Sequence, residues 1–149
     1  IRDSINHISS ISRLENKYHE YIFYEIFKFY YFDNKSNIVF TDGSSYKNTG
    51  GLALVYINGD IITKQLKNNK NINNGGKSVT NIRSEGKAIL ISLKNLQKNK
   101  KLLIITDCEF WIKMIYQYMP SWYSKSGNNF DLFKDKKNSD LTIPLFTII

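Results

Sequence analysis

The chain of 149 residues is 42% hydrophobic and 14% aromatic, enough for the core of one domain and too much for a disordered tail. One cysteine, Cys108, excludes an internal disulfide framework and a multi-cysteine zinc site. The net charge of +8 rests on 18 Lys and 3 Arg, and 17 Asn accompany them. This is the residue usage of an AT-rich genome, so a solvated lysine surface accounts for the charge as well as a phosphate-binding face does.

Both histidines, His7 and His19, stand near the start. A Ser–His–Asp triad or a His-ligated metal would have to borrow one of them, which leaves carboxylates as the capable groups. No run approaches the roughly 20 apolar residues of a membrane span, and no signal-peptide pattern is present. Glu25 and Lys28 interrupt the most apolar stretch, Tyr21 to Phe32. The expectation is an intracellular protein. The opening Ile1 suggests a piece of a longer polypeptide.

Residues 1–36 are predicted to be helical, because Ile8, Ile11, Leu14, Tyr18 and Ile22 keep helical spacing. The aromatic run Phe27 to Phe32 fits packing, and Asp33 to Ser36 reads as a linker. This extension is either a docking helix for a protein partner or the tail of a preceding domain. From Asn37 the pattern changes. Ile38 to Thr41 is a short apolar strand ended by Asp42-Gly43-Ser44-Ser45. Leu52 to Ile57 and Asp60 to Lys67 follow as a hairpin around Asn58-Gly59, a turn in which both residues are expected at positive φ. A polar loop, Asn68 to Ser78, leads to a helix over Thr80 to Leu96. Its inner face is drawn from Ala88, Ile89, Ile91 or Ser92, and Leu96. Leu102 to Thr106 is a fourth strand. A helix over Glu109 to Met119 is then stopped or kinked by Pro120.

A helical crossover returns the chain parallel, so the fourth strand lies beside the first in the same direction. Ligands gather beyond the carboxyl ends of such strands. Both strands end in Thr-Asp, at Thr41-Asp42 and Thr106-Asp107, which sets the two acids side by side. Glu85, within two turns of the crossover helix start, can lean over the same edge. Three converging carboxylates repel one another unless a cation joins them, and an oxygen-only set favours Mg²⁺ or Mn²⁺. Two such ions about 4 Å apart cleave phosphodiesters. The bland alternative is that Asp42 starts a turn and Asp107 caps a helix.

Asp42-Gly43-Ser44, then Thr80-Asn81-Ile82-Arg83-Ser84-Glu85, then Thr106-Asp107 resemble the ordered signature of the ribonuclease H family, type I class. Tyr118 and Trp122 are spaced like its substrate-binding aromatics. Lys137-Asn138-Ser139-Asp140-Leu141 is similar to its Lys-Asn-x-Asp-Leu helix start. The resemblance implies an α/β fold with a mixed sheet, three antiparallel strands followed by a parallel one, flanked by helices. It divides the chain into a helical extension or linker, 1–36, and a monomeric ribonuclease H-like domain, 37–149.

The implied activity is endonucleolytic hydrolysis of the RNA strand of RNA–DNA hybrids with two Mg²⁺ or Mn²⁺ ions, leaving 3′-hydroxyl and 5′-phosphate ends. Asp42, Glu85 and Asp107 would hold the metals. Asn81 would approach the minor groove, where the 2′-hydroxyls are displayed. Thr80 would hold a DNA phosphate, Tyr118 and Trp122 would face deoxyribose, and Lys125 would contact phosphate. Cys108 reads as packing and Glu109 as a first-turn charge.

The sequence also departs from the family pattern. Ile82 replaces an Asn or Gln, and Ser78 replaces a basic residue for which Lys77 can substitute. Gly86, after Glu85, costs helix stability of up to about 1 kcal/mol. The last strand, a His-bearing loop and a fourth acidic ligand are expected beyond Ile149, the chain being cut inside a helix. Asp131, Asp135 and Asp140 are poor replacements. The alternatives in function are a non-catalytic ribonuclease H-like module that binds nucleic acid or protein, and the nuclease domain of a larger replication or reverse-transcription protein.

Overall fold

The computed structural model describes residues 8–9, 17–67 and 79–149, with side chains described from residue 21 onward within those ranges. The polar loop expected over Asn68 to Ser78 lies outside them. Five strands form one mixed sheet in the order β1-β5-β2-β3-β4. They are β1 (Ile8–Ser9), β2 (Ser36–Tyr46), β3 (Thr49–Tyr56), β4 (Ile61–Lys67) and β5 (Lys101–Ile105). β2, β3 and β4 are antiparallel neighbours, whereas β5 runs parallel to β2 on one side and to β1 on the other.

Ile8–Ser9 is therefore a strand, where helical spacing predicts helix. The same apolar residues satisfy either period over so short a stretch, and a sheet edge offers β1 its hydrogen bonds. β2 is also longer than its apolar run. It continues through Asp42 to Tyr46 because β3 pairs with every residue from Val39 to Tyr46. Lys47 and Asn48, both at positive φ, close a tight hairpin that the sequence reading misses. At the Asn58-Gly59 turn only Gly59 takes positive φ. There Gly59 N–H donates to Tyr56 O and Tyr56 N–H to Asp60 O, which makes a three-residue loop instead of a two-residue one.

α2 (Asn81–Lys94) crosses one face of the sheet and returns the chain into β5. Its stripe of Ala88, Ile89 and Leu93 is buried with Val39, Leu54, Leu102 and Ile104, and Trp111, Met119 and Phe133 extend this core. Ser92 joins the inner face with its hydroxyl satisfied by Ile89 O. The helix after β5 does not end at Pro120. α3 (Glu109–Lys113) passes through a π-helical turn, Met114–Tyr118, into α4 (Met119–Lys125). The wider turn ahead of Pro120 and its position near the start of α4 let the axis continue despite the missing N–H. α5 (Asp131–Lys134) and α6 (Ser139–Ile148) complete this layer.

The opposite face is covered by α1 (Lys17–Tyr31). Its Phe23, Ile26, Phe27 and Tyr30 pack with Ile38, Phe40, Leu103 and Ile105. No helix among the described residues is long and apolar enough to cross a membrane.

Candidate active site

β2 and β5 are hydrogen-bonded only as far as Phe40 and Ile105, so Asp42 and Asp107 stand just past the end of their parallel pairing. α2 supplies the third acid. Thr80 caps this helix, its Oγ1 accepting the Arg83 N–H at 3.1 Å, and the first turn lies directly on β2. Gly43 permits that contact, because a Cβ there would lie 2.5 Å from the Ser84 carbonyl carbon and 2.6 Å from the Glu85 nitrogen. The Ser84 hydroxyl fixes the same crossing through Ser44 O at 3.0 Å. In consequence Asp42, Glu85 and Asp107 each bring a carboxylate oxygen within 4.8 Å of the others.

The electrostatics of this cluster are uneven. Asp42 and Asp107 are exposed, whereas Glu85 is buried. Burial pushes the Glu85 carboxyl up to about 8, and the neighbouring Asp42 and Asp107 carboxylates add to the rise. Its Oε2 is buried without a hydrogen-bond partner. A buried carboxylate oxygen facing two more carboxylates matches the donor set of a hard divalent cation. Asp42, Glu85 and Asp107 are the residues that would hold one.

Gly86, which costs helix propensity, has a steric reason. A Cβ at this position would run into the indole ring of the fully buried Trp111. That indole donates to the Ile82 carbonyl at 2.6 Å and so braces the turn that carries Glu85. A second tie joins the Thr80–Glu85 and Lys137–Leu141 motifs of the sequence. Arg83 makes a bidentate ion pair with Asp140 and also donates to Asn138 Oδ1 at 3.0 Å. Asn138 enters α6 from a left-handed conformation at φ 68°. Asn81 Oδ1 accepts from the Ser45 N–H at 2.8 Å and from the Ser45 hydroxyl at 3.0 Å.

Tyr118 and Trp122 come together although they straddle Pro120, with ring centroids 6.3 Å apart. The π-helical turn makes this possible by keeping one helical axis through the proline. The two rings line an open groove of about 770 Å³ whose other walls are Thr80, Ile82, Glu109, Phe110, Met114 and Asn138 and the lysines 113, 136 and 137. Lys136 Nζ sits 5.4 Å above the Trp122 ring. Lys125 does not line this groove. It ends α4, exposed. Lys113 and Lys136 are the cations that the sequence reading missed, and one signal was their spacing of nine and fourteen residues either side of Trp122, too loose to read without the fold. Cys108 packs against the main core, and burial pushes its thiol up, as a packing residue requires. Glu109 pairs with Lys113 at 2.8 Å. Lys77 and Ser78 lie outside the described residues.

A mixed sheet of this order, with a crossover helix and three carboxylates at the carboxyl edge of its parallel strands, defines the ribonuclease H-like class. The model of the family described as RNase H matches residues 34–148. The chain belongs to the RNase H family. It is also similar to a protein named Ribonuclease H from Cupriavidus pinatubonensis (strain JMP 134 / LMG 1197), 28% identical over 114 residues, which are 75% of this chain and 73% of that protein.

Proposed function

We propose that the chain is an endonuclease that hydrolyses the RNA strand of RNA–DNA hybrids, with Asp42, Glu85 and Asp107 holding two Mg²⁺ or Mn²⁺ ions. The observation that carries this reading is the convergence of the three carboxylates within 4.8 Å around a buried, unpartnered Glu85 oxygen. Divalent cations there would supply Lewis-acid activation of water and neutralise charge on the leaving oxygen, giving 3′-hydroxyl and 5′-phosphate ends.

The chain's own residues align the substrate. The Thr80 hydroxyl caps α2 as an acceptor and keeps its proton to donate to a DNA phosphate. Asn81 is held by Ser45 through its carbonyl oxygen, which leaves its amide NH₂ as the donor toward the minor groove and its 2′-hydroxyls. Tyr118 and Trp122 give the deoxyribose an aromatic wall, and Lys136 and Lys137 leave the groove net positive, since Glu109 offsets Lys113. Lys125, exposed beyond the groove, would meet a phosphate only farther along the hybrid.

The test is cleavage of an end-labelled RNA annealed to DNA, in Mg²⁺ and in Mn²⁺, with the RNA alone and annealed to RNA as controls. Hybrid-only cutting that Asp107→Asn abolishes, with hybrid binding retained, supports the assignment. Cutting retained by Asp107→Asn refutes it. Binding without cutting in either metal would point to a non-catalytic module.

A further inference from the structure

From Tyr21 to Phe32 the only charged residues are Glu25 and Lys28. Phe23, Ile26, Phe27 and Tyr30 of this segment pack on the back face of the sheet. On a surface helix the opposite side is polar, yet here Tyr21, Tyr24, Phe29, Tyr31 and Phe32 are between 53% and 79% exposed. At about 200 Å² per ring, these five leave roughly 600 Å² of aromatic surface open, at the upper end of what a monomer carries. A helix that is apolar all round is one covered on both sides.

The spacing on the open side identifies the cover. Tyr21, Glu25, Lys28 and Phe32 step by four, three and four residues, the seam of a heptad, and lie opposite the buried stripe. Phe32 N–H still donates to Lys28 O at 3.1 Å, so the seam stays helical to its last ring. Tyr21 and Phe32, like Glu25 and Lys28, are centred on one level, between Ile26 and Phe27. A second, antiparallel α1 related by a two-fold axis at that level sets each Glu25 against the other copy's Lys28 and each Tyr21 against the other Phe32. Tyr24 then meets Tyr31 on one flank, and Ile22 meets Phe29 on the other. A parallel pair would oppose Glu25 to Glu25 and Lys28 to Lys28. Within one chain Glu25 and Lys28 lie 3.5 Å apart, so the antiparallel seam closes a ring of four alternating charges. An open groove of about 540 Å³ along Glu25, Lys28, Phe29 and Phe32 lies at the level where Tyr21 of the second copy enters. Two such faces offer roughly 1,200 Å², the lower bound of a specific interface, before the stems of Glu25 and Lys28 are counted.

We propose that α1 pairs two copies of this chain antiparallel through the Tyr21–Glu25–Lys28–Phe32 seam, as a closed two-fold dimer. α1 covers the sheet face opposite α2, so the aromatic groove on the α2 side stays open in both copies.

The test is the mass of the full chain by sedimentation equilibrium from about 5 to about 500 µM, spanning the micromolar affinity of a small interface. Wild type is compared with Glu25→Lys, Lys28→Glu, the two exchanges combined, and Phe32→Ser. Wild type should rise with concentration to twice the 17.4 kDa of one chain and no further. Each single exchange puts like charges across the seam and should weaken pairing at least about tenfold. The combined exchange restores opposite charges in the antiparallel register and should return the dissociation constant to within about threefold of wild type. Phe32→Ser, at the most exposed ring, should weaken pairing about tenfold without lowering the melting temperature, which keeps the test independent of the charge variants. Wild type at the mass of one chain throughout would overturn the pairing and assign the face to another part of this chain or to a different protein. A dimer indifferent to the single exchanges, a combined exchange that stays monomeric, or a mass growing beyond two copies would overturn it equally.

Discussion

Replacing Glu85 with Gln should stabilise the metal-free fold while removing activity, and the gain should depend on pH. The Glu85 carboxyl titrates at about 8 in the folded chain against 4.5 when free, mainly because it is buried. Its neutral form is therefore favoured by folding, so its contribution is whole below about pH 4.5, is lost as pH rises, and is spent above about pH 8. The interval, at about 1.4 kcal/mol per pH unit, sets a ceiling of about 5 kcal/mol, with about 3 kcal/mol lost between pH 5 and pH 8. Gln keeps the volume and cannot ionise. Urea unfolding in a chelator at pH 5, 6, 7 and 8 should show the stability of Glu85→Gln rising relative to wild type by about 3 kcal/mol over that range, a large share of a small domain's total. Saturating Mg²⁺ should close the gap from the wild-type side, since a cation at the cluster replaces the proton. A difference between the two proteins that stays constant with pH would refute the reasoning.

Gly86→Ala should lower the melting temperature, because the clash with the Trp111 ring, about 1–3 kcal/mol, exceeds the helix-propensity gain of about 1 kcal/mol; a rise in melting temperature by calorimetry would contradict that packing. Arg83→Lys should cost about 1 kcal/mol in urea unfolding, because an ammonium cannot hold Asp140 bidentately and reach Asn138 as well. Tyr118→Ala, at a half-exposed ring, should raise the KM for the hybrid about tenfold while kcat and melting temperature change little, as steady-state cleavage kinetics and calorimetry would show.

Much of the architecture was legible because local chemistry and global arrangement agree. The apolar run at Ile38, the helical spacing after the Thr80 cap and the second Thr-Asp at Thr106-Asp107 each specify an element, and the crossover rule then fixes the parallel pairing of β2 and β5. The meeting of Asp42, Glu85 and Asp107 follows from that pairing. Readings limited to short windows fared less well. Ile8–Ser9 carries no periodicity long enough to separate strand from helix, and the Ser-rich end of β2 becomes strand only because β3 is there to bond it.

The kinds of residue available for chemistry were set by the sequence alone: acids, no histidine after His19, one buried-type cysteine, and an order of motifs that carries the family resemblance. The tertiary structure decided what no spacing could express. Gly86 is a fault in a helix until Trp111 is seen filling the space above it. Tyr118 and Trp122 share a groove only because a π-helical turn carries the axis through Pro120, and the lysines 113, 136 and 137 join them from segments far apart in the chain. The aromatic residues of α1 read as packing, but their partner, the back face of the sheet, is set by contacts that reach as far along the chain as Leu103 and Ile105, and side-chain periodicity encodes which face is buried without saying against what.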